Sequence, residues 1–240
     1  MIAFRQIWLR QQYMQRNVTT AIILKRLNFQ DADRIITCVT PDFGKITLLA
    51  RGVRKSKSKL AGGIELFCEN QITFIAGKKD IGTLVSARMQ TNFSQIVKDV
   101  DRTMWAYEAQ KIIDNHTEQR TEKAYYVILL DLLSSLNELS IELSVVKSWF
   151  LMNFLFLSGH GMNLDTDINK TSLQEDKNYQ FSISDSAFFE NDSGPYNSRH
   201  LKFLRLCTSQ TLHVVNKING AVNLADDVNK LLMQQIQFIH

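Results

Sequence analysis

The spacing of apolar residues changes once along this chain, near residue 92, and that change constrains the fold most strongly. Before it, short runs rich in β-branched residues alternate with turns, as in a β-sheet domain. After it, apolar residues recur every three or four positions, as on amphipathic helices. The 240 residues, 45% of them hydrophobic, are enough for one large domain or two to three small ones. We therefore predict an α+β chain, with a β domain over 18–92 and a helical domain over 93–240.

Five strands are predicted in the first part. They span 20–27, 33–40, 45–50, 66–76 and 82–90. The second and third are joined by Pro41-Asp42-Phe43-Gly44, where the proline presets φ and the glycine tolerates a left-handed backbone. No long helical pattern separates these strands. Five short strands in close succession indicate a small antiparallel barrel or sandwich.

The second part carries several helical patterns. One runs through Val97, Val100, Met104 and Tyr107. The segment 141–157 is apolar on almost every side, which predicts a helix at the centre of a bundle. We interpret the polar stretch 163–198 as an irregular insertion with a short hairpin, followed by two final helices.

Several classes of protein are excluded or disfavoured by composition. The longest apolar run, 149–157, is far shorter than the ~20 residues of a membrane span. Three scattered cysteines, Cys38, Cys68 and Cys207, form no C-x-x-C pair, which favours free thiols and a cytoplasmic protein. We expect residues 1–17 to be a short extension that precedes the fold.

The net charge of +4 hides an asymmetry between the two parts of the chain. Residues 1–91 contain 15 Lys and Arg against 6 Asp and Glu, whereas residues 92–240 contain 13 against 18. A basic first part suggests a polyanionic partner. A solvated basic face without a partner is the alternative.

The densest positive charge follows the third predicted strand. Five cations fall within nine residues: Arg51, Arg54, Lys55, Lys57 and Lys59. A flexible basic loop suits the phosphate backbone of a nucleic acid. Phe29 and Phe43 lie on neighbouring loops and could stack on bases, although core packing or loop anchoring is the better explanation for each ring.

The chain lacks the sequence signatures of an enzyme. It contains no Walker A motif, no G-x-S-x-G and no H-E-x-x-H. Gly159-His160-Gly161 is interpreted as a helix stop, and Asp165 with Asp167 makes a poor metal site. We predict a protein that is not an enzyme and uses no cofactor.

Two segments, 22–26 and 33–60, resemble the N-terminal domain of the bacterial recombination mediator RecO family. The resemblance includes the turn T-P-x-x-G-K at 40–45 and the strand end A-R-G-x-R-K at 50–55. It is specific over 20–70 and extends more loosely over 18–240. It implies an N-terminal five-stranded OB-fold barrel followed by an α-helical bundle.

The resemblance also implies a function in DNA repair and recombination. Members of the family bind single- and double-stranded DNA and anneal complementary strands. With RecR, they load RecA onto DNA coated by single-strand-binding protein (SSB), whose acidic C-terminal tail they also bind. Carried over to this chain, the motif implies DNA contacts by Lys45, Arg51, Arg54, Lys55, Lys57 and Lys59, with Arg34 as a further candidate. Arg120 and Lys123 are candidates for the SSB tail, although an ordinary helix-start surface is the better explanation for them.

One departure from the family concerns zinc. Many members hold zinc with two C-x-x-C pairs after the central helix, but residues 164–193 contain no cysteine. We therefore predict a zinc-less insertion closed by Tyr179, Phe181, Phe188 and Phe189. Two other functions stay open: an OB-fold RNA-binding or ribosome-associated factor, and a protein-interaction scaffold without enzymatic activity.

Overall fold

A computed structural model describes residues 15–77, 80–118 and 122–239. Most of the expected extension at 1–17 lies outside these residues. The chain divides into two compact units between Leu133 and Ser134. This division differs from the boundary predicted after residue 92, and the contacts of the first helices give the reason below.

The first unit is built on a closed barrel of five strands. The strands are β1 (Arg16–Phe29), β2 (Asp33–Thr40), β3 (Gly44–Ala50), β4 (Cys68–Ile75) and β5 (Ile81–Asn92). Their order around the barrel is β1-β2-β3-β5-β4, and β3 pairs with β5 in parallel while every other pair is antiparallel. Of the two architectures left open by the strand pattern, the barrel is therefore confirmed.

Apolar side chains that point inward at every second residue of each strand form the core of the barrel. Ile36 of β2, Leu48 of β3 and Ile72 of β4 point inward and are almost fully buried, as period-two patterning requires. The turn between β2 and β3 forms as predicted, with Gly44 at φ +64° and the Thr40 hydroxyl donating to the Gly44 carbonyl at 3.0 Å.

Helix α1 (Val100–His116) packs on the barrel. Its position is as predicted, but Val97, Val100, Met104 and Tyr107 are each at least half exposed. The opposite face is the buried one and contains Trp105, Ala106, Ala109, Gln110, Ile112 and Ile113. Gln110 Nε2 donates to the Ile23 carbonyl at 2.9 Å, beside a bulge in β1 that interrupts the ladder with β2.

Helix α2 (Lys123–Asn137) begins within the same unit. The Tyr126 hydroxyl lies 2.6 Å from Glu69 Oε1 and 3.0 Å from Thr20 Oγ1, both on barrel strands. Because α1 and the start of α2 contact the barrel in this way, the compact unit extends to residue 133 instead of ending with β5.

The second unit contains four further helices. They are α3 (Leu143–Leu157), α4 (Ser198–Ser209), α5 (Leu212–Asn216) and α6 (Ala221–Phe238). Nine of the fifteen residues of α3 are buried, and α3 contacts each of the other three. It is therefore the central helix, as its all-round apolar sequence predicts. Gly159, at φ +77°, follows its end.

The insertion is more regular than predicted. It forms a three-stranded sheet of β6 (Asn163–Asp167), β7 (Tyr179–Ser182) and β8 (Ala187–Glu190), in the order β6-β8-β7. The β7–β8 hairpin was expected, whereas the parallel pairing of β6 with β8 was not. Phe188 is fully buried and contacts the rings of Phe181, Tyr196 and Tyr179. Phe189 is wrongly included in the predicted cluster, because consecutive residues of a strand point to opposite faces.

Candidate nucleic-acid interface

The basic loop, residues 51–59, leaves the barrel at the end of β3. Gly52 adopts φ +63°, and Val53 turns inward into the barrel core with 3% of its surface exposed. Leu60, just after the loop, also packs against that core. With both ends anchored by apolar side chains, all five cations of the loop are exposed to solvent.

Hydrogen bonds hold the loop against the turn between β1 and β2. The Gly52 amide donates to Asp33 Oδ1 at 2.7 Å, and the Arg54 amide donates to the Ala32 carbonyl at 2.9 Å. Within the loop, the Lys55 amide donates to the Gly52 carbonyl and the Ser58 amide to the Lys55 carbonyl. The charged side chains therefore project from a backbone of defined shape.

The charge of the loop is not neutralised by the residues around it. Over 15–77, 80–118 and 122–239, no carboxylate forms an ion pair with Arg51, Arg54, Lys55, Lys57 or Lys59. Asp33, at the start of β2 beside the loop, accepts a hydrogen bond from the Gly52 amide. By contrast, Arg26 on β1 pairs with Glu65 at 2.9 Å. The loop therefore presents its positive charge to solvent.

The other two predicted DNA contacts are placed differently. Arg34 lies at the base of the loop, because it pairs with Ala50 across β2 and β3, and its Nε donates to Asn28 Oδ1 at 3.1 Å. The Lys45 side chain is only 16% exposed. Its ammonium donates to the Asp114 carbonyl at 2.6 Å and lies 3.5 Å from Asp114 Oδ1. The structure thus groups five of the seven residues in one loop, with Arg34 beside it and Lys45 bound to α1.

An open groove of about 650 Å³ lies beside Lys45 on the barrel. Its lining includes Lys25 and Lys45 but also the carboxylates of Asp80, Asp114 and Glu118. Because the groove carries both signs of charge, it does not extend the positive surface of the basic loop.

Only one of the two candidates for the SSB tail lies among the described residues. Arg120 lies outside the described residues. Lys123 is the first residue of α2 and is exposed. Their joint role stays a prediction.

The described residues contain neither a metal-binding cluster nor a membrane-spanning helix. Among them, no three His, Cys, Asp or Glu side chains are grouped so as to hold a metal ion. None of their helices is long and apolar enough to span a membrane. All three cysteines are free and buried.

Sequence reasoning missed how the basic loop is positioned. It identified the cations from their density, but not the support that the loop receives from Ala32 and Asp33. These residues lie about twenty positions earlier in the chain, and only the pairing of β2 with β3 brings them to the base of the loop. The hairpin signal at 41–44 contained this information, because it fixes the register of β2 and β3.

The strand order of the barrel and the basic loop together define a class of protein. A closed five-stranded barrel of this kind is an OB-fold domain, and this class commonly binds oligonucleotides or oligosaccharides. Residues 14–93 match the family model described as "Recombination protein O N terminal".

Relatives of this chain extend the comparison. A "DNA repair protein RecO" of Listeria monocytogenes serotype 4b (strain CLIP80459) is 34% identical over 118 residues, which cover 49% of this chain and 46% of the relative. The protein of the same name from Syntrophus aciditrophicus (strain SB) is 30% identical over 169 residues, which cover 69% of this chain and 65% of the relative. That from Desulfatibacillum aliphaticivorans is 31% identical over 150 residues, or 61% and 58%.

These matches support the RecO family, as the resemblance of the basic loop and strands indicated. The chain spans about half the length of the first curated relatives that it matches.

Proposed function

We propose that this chain acts in DNA repair and homologous recombination, as a mediator that binds single- and double-stranded DNA without catalysing a reaction. The observation that carries the proposal is the basic loop, with its five exposed cations on a defined backbone. The name "DNA repair protein" given to the relatives supports the same role.

The proposed mechanism is electrostatic. Cations that contact phosphates release the counterions condensed on DNA, and this release favours binding of any sequence. When phosphates of two complementary strands are neutralised on one protein surface, their mutual repulsion falls and pairing becomes faster. Annealing by this route needs no ATP, which agrees with the lack of a Walker A motif in the sequence.

The partners proposed for the chain follow from its family. They are RecR, RecA and the acidic C-terminal tail of SSB, and the proposed location is the cytoplasm. The positive candidates for the SSB tail remain Arg120 and Lys123, because an acidic peptide end requires one or two cations.

An annealing assay tests this function. Two complementary labelled oligonucleotides are mixed with the protein without ATP, first bare and then coated with the cognate SSB. We expect accelerated annealing that survives SSB coating. The variant R54Q/K55Q/K57Q should lose most of the acceleration, whereas K98Q/K217Q/K230Q, which removes three exposed charges elsewhere, should retain it.

The alternatives predict different results. Binding of bare strands without annealing would favour a general OB-fold binder, and a strong preference for RNA would favour an RNA-binding factor. No binding at low salt would favour a protein-interaction scaffold. Any of these three results would overturn the mediator function.

A further inference from the structure

The end of helix α1 binds a lysine of the barrel, Lys45. The Lys45 ammonium donates to the Asp114 carbonyl at 2.6 Å and lies 3.5 Å from Asp114 Oδ1. The Lys45 and Asp114 side chains are only 16% and 21% exposed. The Asp114 carbonyl is one of the last four of the helix, which lack partners within it. Lys45 therefore binds both a carboxylate and the negative end of the helix dipole.

Lys45 lies on the outer face of the barrel, in the open groove described above. Its chain neighbour Ile46 packs against the barrel core, so Lys45 and Thr47 point outward. Thr47 pairs with Thr37 of β2, and Thr37 pairs with Lys25 of β1. All four outward side chains line the groove. The same strand β3 leads into the basic loop, so the loop and the groove are neighbouring parts of one surface.

The groove also contains three carboxylates, those of Asp80, Asp114 and Glu118. Two of them come from the last turn of α1 and the segment just after it. Three carboxylates outnumber the ammonium groups of Lys25 and Lys45, and the helix dipole adds further negative charge. The groove therefore repels a polyanion, although two lysines lie in it.

We propose that the end of α1 is an autoinhibitory contact, in which Asp114 and Glu118 keep Lys45 from binding nucleic acid until the contact breaks. The proposal rests on the proposed function and adds to it a restraint on affinity. While the contact is closed, the basic loop binds nucleic acid without Lys45. When it breaks, a phosphate replaces the Asp114 carboxylate on the Lys45 ammonium, so the number of phosphate contacts increases by one.

The test measures the affinity for a labelled single strand by fluorescence anisotropy. The variant D114N/E118Q removes both carboxylates at the end of α1. We expect it to bind about fivefold more tightly at about 0.1 M salt, which is the counterion release of one added phosphate contact. Its log–log salt slope should become steeper by about 0.7 for the same reason. A folding defect would lower the affinity, so it cannot mimic this gain.

The matched control is D101N/E108Q. It removes two carboxylates from the same helix, neither of which lines the groove, and it changes the net charge by the same amount. It should bind within about twofold of the wild type. An equal gain in the two variants would show a general effect of net charge and would overturn the inference.

Substitutions of Lys45 test whether the gain passes through this residue. In the D114N/E118Q background, K45Q should remove the gain, whereas K45R should retain it. The loss caused by K45Q should also be larger in that background than in the wild type, where Asp114 holds the ammonium. An equal loss in both backgrounds, or a gain that persists in K45Q/D114N/E118Q, would contradict the autoinhibitory contact.

The outcomes separate this inference from the proposed function. Unchanged affinity of D114N/E118Q would overturn the inference, and a weakened R54Q/K55Q/K57Q variant would still leave the proposed function intact. If instead that loop variant binds as tightly as the wild type, the proposed function fails.

Discussion

At the residue scale, buried polar side chains connect segments that are distant in sequence. Tyr126 is 106 positions from Thr20 and 57 from Glu69, yet its hydroxyl lies within hydrogen-bonding distance of both. Burial and the Glu69 carboxylate raise the pKa of Tyr126, so the phenol remains protonated and can donate. No local sequence pattern predicts such a contact, because it forms only when the closed barrel brings Thr20 and Glu69 together.

Replacing Tyr126 with phenylalanine tests the strength of this connection. Loss of a hydrogen bond to a charged group should lower the free energy of unfolding by about 1.5 kcal/mol, as measured by urea denaturation. Y107F is the control, because the Tyr107 ring is half exposed, and it should change stability by less than about 0.5 kcal/mol. Equal effects of the two substitutions would contradict the role assigned to Tyr126.

The thiols provide a second prediction at this scale. Burial raises the pKa of Cys38 to about 12 and raises the pKa of Cys68 and Cys207 as well. Since the thiolate is the reactive form, little of it exists at pH 8. We expect a disulfide reagent to leave all three thiols unmodified in the native protein and to titrate three in denaturant. Rapid modification of a native thiol would show that it is not buried.

At the scale of elements, the periodicity of apolar residues predicted strands and helices but did not always predict which face of an element is buried. Helix α1 has apolar residues on two sides: Val100 and Met104 on one, Trp105 and Ile112 on the other. Both sets have helical spacing, so only the surface of the barrel decides which is buried. The five strands were predictable because β-branched runs and the turn at 41–44 agree with each other.

The short 3₁₀ helix after the basic loop, Ala61–Gly63, packs closely against β5 at its last residue. A Cβ on Gly63 would lie 2.4 Å from the Ala87 carbonyl carbon of β5, whereas one on Gly62 would have no neighbour within 4 Å. We expect G63A to destabilise the fold by about 1–3 kcal/mol through overpacking. G62A should stay near wild type, and the difference in thermal midpoint measures the effect. Equal midpoints would contradict the close packing at Gly63.

At the scale of the whole molecule, the charge pattern of the sequence predicted where the candidate interface lies. It did not predict which of the candidate residues are exposed in the basic loop and which are bound elsewhere. The density of cations in 51–59 was visible in the sequence, and the five cations prove exposed. Lys45 binds Asp114, which lies 69 positions later in the chain. This contact depends on the packing of α1 on the barrel, so the local sequence does not predict it.

The charge asymmetry of the chain has a consequence at the same scale. Residues 1–91 are strongly basic and residues 92–240 are acidic, so attraction of a polyanion should concentrate on the first part. Binding should therefore depend steeply on salt in spite of the low net charge of +4.

The salt dependence of DNA binding tests the central claim, that the basic loop contacts phosphates. Affinity for a single strand is measured over a range of salt concentrations for the wild type, R54Q/K55Q/K57Q and K98Q/K217Q/K230Q. Because each phosphate contact contributes about 0.7 to the log–log slope, the loop variant should bind more weakly with a slope flattened by up to about 2. The control should keep the wild-type slope. An unchanged slope in the loop variant would contradict the account.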